Sequence, residues 1–284
     1  MSFINTAILH RVFPFRLLRR QVQTEPQVQV DLSFLRERVP DTFDVAAVCT
    51  CASHTSRDFY DVFATARGGC AFVLGNASGR GTPATALMGI IHPLIRSTGW
   101  TESAAQHEGA SSRMNRLLCA RAQRAQEAAM FWAYFDARNQ LLRYVNAGHP
   151  PPLLFKGNRR NILLRLRTGG PALGILPHLA FQQGAVRLDP GDVLILYSNG
   201  VLKATDPHGE VFGEERLRSV VANHLEKSAE EIRARILASV EAFTRQAAAE
   251  DDRTLLVVRY AGIASRSDQT ESSTADTHRI GAAA

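Results

Sequence analysis

The sequence predicts an α+β fold in which antiparallel β-sheets are covered by helices. Its strands come as hairpins, its helices come in groups, and strict β-α-β alternation is absent. The clearest hairpin joins a strand at 130–135 to a strand at 140–146 through the turn at 136–139. Apolar residues make up 45% and charged residues 21% of the 284 residues, the balance of a globular protein.

The other elements follow from local signals in chain order. Thr82 followed by Pro83 is typical of a helix start. Apolar spacing, with Met114, Leu117 and Leu118 on one face, predicts a second helix at 110–126. Ser228 and Glu231 form a capping box that opens a later helix. Further strands are predicted at 43–52, 71–74, 150–155, 186–188, 193–197 and 255–260.

The two ends of the chain differ from the region between them. Residues 1–40 are predicted to be a lead-in or regulatory segment, with a helix at 4–23. Residues 41–261 are predicted to form one domain. The tail at 262–284 is rich in Ser, Thr, Ala and Asp and lacks aromatic residues, so disorder is expected there.

Charge and cysteine content narrow the classes of function. The net charge of +6 is a weak indication of an anionic partner, but no basic stripe with interleaved aromatics indicates nucleic-acid binding. The four cysteines lack zinc-site spacing. The sequence contains no run of 18 apolar residues, so no membrane-spanning helix is predicted. No signal-peptide cleavage site is visible either, so a cytoplasmic location is expected.

Four loops with acidic or amide side chains lie at predicted strand ends. Each alone is a weak signal, because Asx-Gly pairs are common in turns. Their order and flanking strands together are specific. The loops are S-R-D-F-Y-D at 56–61, G-N-A-S-G-R-G at 75–81, Y-S-N-G-V at 197–201 and E-D-D-R-T at 250–254.

With three further motifs, this order resembles the SpoIIE/RsbU branch of the bacterial PPM protein phosphatases. The further motifs are R-Y-V-N-A-G-H at 143–149, P-G-D-V-L at 190–194 and G-E-V-F-G-E-E-R-L at 209–217. The resemblance covers roughly residues 40–260. It implies an α/β/β/α sandwich of two antiparallel sheets flanked by helices.

The resemblance also implies a reaction and a set of residues. The family hydrolyses phosphoserine or phosphothreonine with two Mn²⁺ or Mg²⁺ ions, and carboxylates suit such ions. It implies catalytic roles for Asp58 and Asp251. The implied metal ligands are Asp58, Asn76, Ala77 (through its carbonyl), Asn199 and Asp251.

The chain departs from the family pattern at four positions. Two are implied metal ligands, and two lie just before Asp58. Asn76 and Asn199 stand where the family has aspartates, which halves the formal negative charge of the implied site. Ser56 and Arg57 stand where the family has paired glycines, so bulk and positive charge are placed beside Asp58. Each lost ion contact costs on the order of a few kcal/mol at an effective dielectric of ~20, so weakened metal binding is expected.

Two functions remain open from the sequence. One is a phosphatase acting on a phosphorylated regulator such as a STAS-type anti-sigma-factor antagonist, with weakened or lost catalysis. The other is a pseudophosphatase that binds such a regulator without hydrolysis, and a homodimer is possible in either case. Asp61, His149 and Asp192 have structural alternatives: closing a turn, packing at a strand end, and fixing the Pro-Gly-Asp turn.

Overall fold

The computed structural model describes most of the predicted domain. The described residues are 29–30, 39–52, 56–65, 68–78, 91, 93–96, 104–121, 127–157, 162–245, 247 and 249–262. The predicted helix at 4–23 and the tail beyond residue 262 lie outside them. Of the helix predicted after Pro83, only 91 and 93–96 are described, and they are helical.

The described residues form twelve strands and four named helices. The strands are β1 Gln29–Val30, β2 Phe43–Thr50, β3 Asp58–Ala64, β4 Cys70–Ala77, β5 Ala128–Asp136, β6 Leu141–Ala147, β7 Leu153–Phe155, β8 Leu163–Arg165, β9 Gly169–Gly170, β10 Gly184–Arg187, β11 Val193–Tyr197 and β12 Arg253–Tyr260. The helices are α1 Ala104–Arg121, α2 Asn199–Leu202, α3 Gly213–Ala222 and α4 Ala229–Thr244.

The first sheet is antiparallel and has the strand order β1-β2-β12-β11-β7-β8. Its longest pairing joins β2 to β12, from Phe43 opposite Tyr260 to Thr50 opposite Arg253. The short strand β1 adds to the edge of β2 and lies within the segment predicted as a lead-in. This sheet therefore brings the last strand of the domain against the first long one.

The second sheet has the strand order β10-β6-β5-β4-β3, and β9 pairs with β6 in parallel. The predicted hairpin at 130–146 is confirmed as β5 and β6. β10 belongs to this sheet and β11 to the first one, so the turn between them crosses from one layer to the other. Buried Asp192 fixes this turn by accepting hydrogen bonds from the backbone N–H groups of Asp189 and Gly157.

The sheets pack face to face, and helices cover both outer faces. The central core joins residues of both sheets, among them Phe72, Phe135 and Leu256. Two outer cores lie under the helices. One packs Ile195 and Val257 against α3 and α4, and the other packs Val73 and Trp132 against Met114 and Leu118 of α1. The predicted α/β/β/α sandwich is confirmed.

Two helix predictions can be compared with the structure. The capping box is confirmed, because the Ser228 hydroxyl accepts from the N–H of Glu231 and the Glu231 side chain accepts from the N–H of Ser228. α1 runs from Ala104 to Arg121 and so begins six residues before the predicted start at residue 110, because Met114 and Leu118, which predicted it, lie in its C-terminal half. Among the described residues, no helix is long and apolar enough to cross a membrane.

Candidate functional site

Asp58 and Asn76 are directly opposite each other on β3 and β4. The Asn76 side-chain amide donates a hydrogen bond to Asp58 Oδ1 at 2.6 Å. Thr254, on β12 of the other sheet, donates its hydroxyl to Asp58 Oδ2 at 2.7 Å. Both carboxylate oxygens of Asp58 therefore have donors within the protein. Asp58 is also buried, and this burial raises its pKa to about 6.

Asp251 has a different environment from Asp58. Its carboxylate forms an ion pair with the guanidinium of Arg57, and both side chains are about one-third exposed. Arg57 lies immediately before β3, so its side chain reaches from the loop of one sheet to the loop that precedes β12 of the other. A fixed cation thus lies against the carboxylate to which the family resemblance gives a catalytic role.

Asp252, next to Asp251, holds the loop in front of β3. Its carboxylate accepts from the N–H of Ala52 at 2.8 Å, from the N–H of Arg57 at 2.6 Å and from the Ser56 hydroxyl at 3.2 Å. The side chain is 3% exposed. Sequence reasoning assigned no role to Asp252, although the paired aspartates of the E-D-D-R-T motif contained the signal.

Asn199 lies at the start of α2, beside the 251–252 loop. Ser198 fixes this junction, because its hydroxyl donates to the carbonyl of Asp252 and accepts from the N–H of Thr254. The Asn199 side chain is exposed. Within the described part of the chain, no hydrogen bond joins that side chain to the other implied ligands. Asn199 therefore lies beside the site, whereas Asp58 and Asn76 are hydrogen-bonded to each other within it.

Ala77 ends β4 and is fully buried. Its N–H donates to the carbonyl of Arg57 at 3.0 Å. This contact ties the end of β4 to the loop that carries Arg57. The start of β3 and the end of β4 therefore bring together four residues: Arg57, Asp58, Asn76 and Ala77.

Comparison with known proteins places the chain in a family. The family model described as Stage II sporulation protein E (SpoIIE) matches residues 66–261. This chain belongs to the SpoIIE family. The domain of SpoIIE from Bacillus subtilis, solved as a PP2C phosphatase domain with a fragment of its regulatory domain, has a TM-score of 0.63 at 18% identity. That match covers 78% of this chain and 64% of the solved chain, and it supports the fold alone.

Two curated relatives extend the comparison. Protein IcfG of Synechocystis sp. is 30% identical over an alignment 236 residues long, and the match covers 73% of this chain and 37% of IcfG. Phosphoserine phosphatase RsbU of Bacillus subtilis is 24% identical over 248 residues, 86% of this chain and 72% of RsbU. This SpoIIE-family chain thus spans little more than a third of IcfG and most of RsbU.

The PPM phosphatases are metal-dependent, and the residues of this SpoIIE-family chain do not fit the two-metal site that the resemblance implies. Asp58 already accepts hydrogen bonds on both oxygens, and Asp251 is ion-paired with Arg57. Asn76 presents its NH₂ group, which cannot ligate a cation, towards Asp58. Among the described residues, no cluster of three His, Cys, Asp or Glu side chains could hold a metal ion.

His149 and Asp61, which sequence analysis left open, both have structural partners. His149 is buried and donates its Nδ1–H to the carbonyl of Pro150 at 2.9 Å, while burial lowers its pKa to about 4. Asp61 accepts two hydrogen bonds from the Arg96 guanidinium, which joins β3 to the helical residues 93–96. None of these hydrogen bonds involves Asp58 or Asn76. We therefore interpret His149 and Asp61 as residues that stabilise the packing around them.

Proposed function

We propose that this chain is a pseudophosphatase, a SpoIIE-family domain that binds a phosphorylated regulatory protein and does not hydrolyse it. One observation carries the proposal: the guanidinium of Arg57 forms an ion pair with Asp251. A guanidinium stays protonated at all physiological pH values, so its positive charge beside the carboxylate does not depend on pH. A divalent cation at Asp251 would have to displace it and would meet its charge.

The Asp58–Asn76 pair supports the same conclusion. By the family resemblance, Asn76 and Asn199 stand at positions of aspartates. Two facing carboxylates at 58 and 76 would repel each other unless a cation lay between them. With an amide at 76, the pair instead forms a hydrogen bond at 2.6 Å and needs no cation. The substitution thus removes both the negative charge and the structural need for a metal.

The partner class is inferred from the relatives. RsbU, which is 24% identical, is named a phosphoserine phosphatase. We infer that the partner of this chain is a protein phosphorylated on serine or threonine, with a STAS-type anti-sigma-factor antagonist as the expected kind. The proposal includes a cytoplasmic location, consistent with four cysteines that form no disulfide, and allows a homodimer.

The experiment measures hydrolysis and metal binding on the same preparation. Hydrolysis of p-nitrophenyl phosphate and of a phosphoserine peptide is assayed with Mn²⁺ and with Mg²⁺, and Mn²⁺ binding is followed by calorimetry. RsbU of Bacillus subtilis is the active control. We expect no turnover above the protein-free blank and no saturable Mn²⁺ heat. Turnover at a rate comparable to that of RsbU would show that the chain is a working phosphatase.

A further inference from the structure

A cavity of about 380 Å³ lies beside the Arg57–Asp251 ion pair. Gly200 and Ala204, in and just after α2, form part of its wall, so the cavity lies on the helix-covered side of the first sheet. Its charged lining consists of Arg57, Lys203, Asp206, Glu250, Asp251 and Arg253. The cavity is therefore adjacent to the Asp58–Asn76 pair but is built from different side chains.

Arg253 is the unusual member of this lining. The residue is buried, with 9% of its surface exposed, and it still lines the cavity. Side chains alternate along a strand, so Arg253 shares the helix-covered face of β12 with Leu255, whereas Thr254 points between the sheets towards Asp58. Within the described residues, the guanidinium makes no hydrogen bond or ion pair, although its charge is partly offset by a longer-range interaction with the carboxylate of Glu241. A buried charge of this kind costs several kcal/mol unless a partner compensates it.

Lys203 is the second cation without a partner. It follows α2 as its C-cap, is exposed, and makes no side-chain hydrogen bond or ion pair with a described residue. Its position at the cavity wall is fixed by the backbone, because its N–H donates to the carbonyl of Asn199 at 2.8 Å. Arg253 and Lys203 therefore present to one cavity two positive charges that form no ion pair with a described residue.

None of the described carboxylates of the lining forms an ion pair with Arg253 or Lys203. Asp251 is paired with Arg57. Asp206 accepts hydrogen bonds from the N–H groups of His208 at 2.9 Å and Glu210 at 2.8 Å, which hold it in its own turn. Glu250 is exposed and forms no ion pair with a described residue.

We propose that this cavity binds the phosphate group of a phosphoserine or phosphothreonine side chain without a metal ion, with Arg253 and Lys203 as its cationic contacts. The identity of the ligand as a phosphoprotein rests on the proposed function, whereas the presence of an anion site does not. A phosphomonoester carries a charge of about −1.5 to −2 near neutral pH, and Arg253 and Lys203 are two cations without an ion-pair partner that can contact it. The planar guanidinium of Arg253 can donate two parallel hydrogen bonds to phosphate oxygens, and Lys203 supplies a mobile point charge.

The geometry also explains how recognition can survive without metal ions. In a two-metal phosphatase, the ions supply the positive charge that attracts the phosphate. Here the positive charge comes from side chains that cannot activate a water molecule, because arginine and lysine remain protonated and hold no hydroxide. The site therefore binds the ester and leaves its P–O bond intact.

The test is calorimetry in EDTA at fixed ionic strength. The ligands are a phosphoserine peptide, the same peptide without phosphate, and inorganic phosphate. The variants are Arg253→Gln and Lys203→Gln, with exposed Arg218→Gln and Lys227→Gln as matched controls. We expect the phosphopeptide to bind in EDTA, the unphosphorylated peptide not to bind, and each cavity variant to bind roughly tenfold or more weakly. The controls should bind like the natural protein.

Each other outcome has a defined meaning. Absence of binding in EDTA, or equal binding by Lys203→Gln and the natural protein, overturns the site. Because Arg253 is buried, thermal unfolding of Arg253→Gln is measured first, and exposed Lys203 decides the question if that variant does not fold. Binding of inorganic phosphate but not of the phosphopeptide overturns the phosphoprotein assignment. Hydrolysis with Mn²⁺ would refute the proposed function and leave the EDTA result standing.

Discussion

The guanidinium of Arg57 is ion-paired with the carboxylate of Asp251, 194 residues further along the chain, while the backbone N–H of Arg57 donates to Asp252. Asp251 thus binds the side chain of Arg57, and Asp252 binds its backbone. Their burial differs, since the Asp251 side chain is 35% exposed and Asp252 is 3% exposed. The more exposed Asp251 therefore has an electrostatic role at the site, and the buried Asp252 has a structural role beneath it.

The first prediction compares these two aspartates. Asp251→Ala removes a partly exposed ion pair, and we expect it to change the free energy of unfolding by less than about 1 kcal/mol. Asp252→Ala leaves the N–H groups of Ala52 and Arg57 without their acceptor, and we expect a loss of about 3 kcal/mol. Urea unfolding of both variants measures the difference. Equal losses in the two variants would contradict the division of roles.

The second prediction concerns metal binding. Asn76→Asp alone places a carboxylate against Asp58 with no cation between them, so we expect it to lower stability by about 1–3 kcal/mol. Asn76→Asp combined with Asn199→Asp and Arg57→Gly removes the fixed cation and restores both carboxylates. We expect that triple variant to bind Mn²⁺, to be stabilised by Mn²⁺ in thermal unfolding, and to gain phosphatase activity. No single change should suffice, because the groups act together.

The control for the triple variant is Asn223→Asp, which adds a carboxylate at an exposed position away from the site. This variant should gain no Mn²⁺ affinity. A triple variant that folds and still shows no Mn²⁺ binding would mean that Asn76, Asn199 and Arg57 are not what prevents it.

The third prediction concerns the close approach of α2 to the 251–252 loop. A Cβ atom at Gly200 would lie 2.1 Å from the carbonyl oxygen of Asp252 and 3.0 Å from that of Asp251. Backbone atoms cannot move aside cheaply, so we expect Gly200→Ala to cost about 2–4 kcal/mol and to weaken binding at the cavity. Gly109→Ala is the matched control in α1, where a Cβ atom meets nothing within 4 Å. It should stabilise the protein by about 0.5–1 kcal/mol.

The fourth prediction concerns pH. Burial lowers the pKa of His149 to about 4, below the ordinary value of about 6.5 expected in the unfolded chain. Protonation therefore favours unfolding, and the contribution of neutral His149 is lost as the pH falls from about 6.5 to about 4. The raised pKa of Asp58 acts in the opposite direction between about pH 4 and 6, since its ionisation disfavours the fold.

The two contributions are separated by His149→Gln. Between pH 7 and pH 4, the natural protein should lose on the order of 2–4 kcal/mol more stability than this variant. Chemical unfolding at a series of pH values gives the two curves. Parallel curves would mean that His149 is protonated in the folded protein at mildly acidic pH.

Short-range signals in the sequence predicted much of this fold. Two strand-like segments joined by the turn at 136–139 predicted the hairpin of β5 and β6, and the spacing of Ser228 and Glu231 predicted the start of α4. These signals act between residues that are close in the chain, so they survive in almost any tertiary context. The family resemblance that the motif order carries implied the sandwich and placed Asp58 and Asn76 in one site. These two residues, which hydrogen-bond to each other, are only 18 positions apart in the chain.

The tertiary structure alone decided which charges meet. The sequence placed Arg57 beside Asp58, but its guanidinium reaches Asp251 because the two sheets bring the loops before β3 and β12 together. The buried role of Asp252 and the unpaired guanidinium of Arg253 depend on the same packing. Ion pairing and desolvation are set by distances of a few ångströms between segments far apart in the chain, and no local pattern in the sequence encodes those distances.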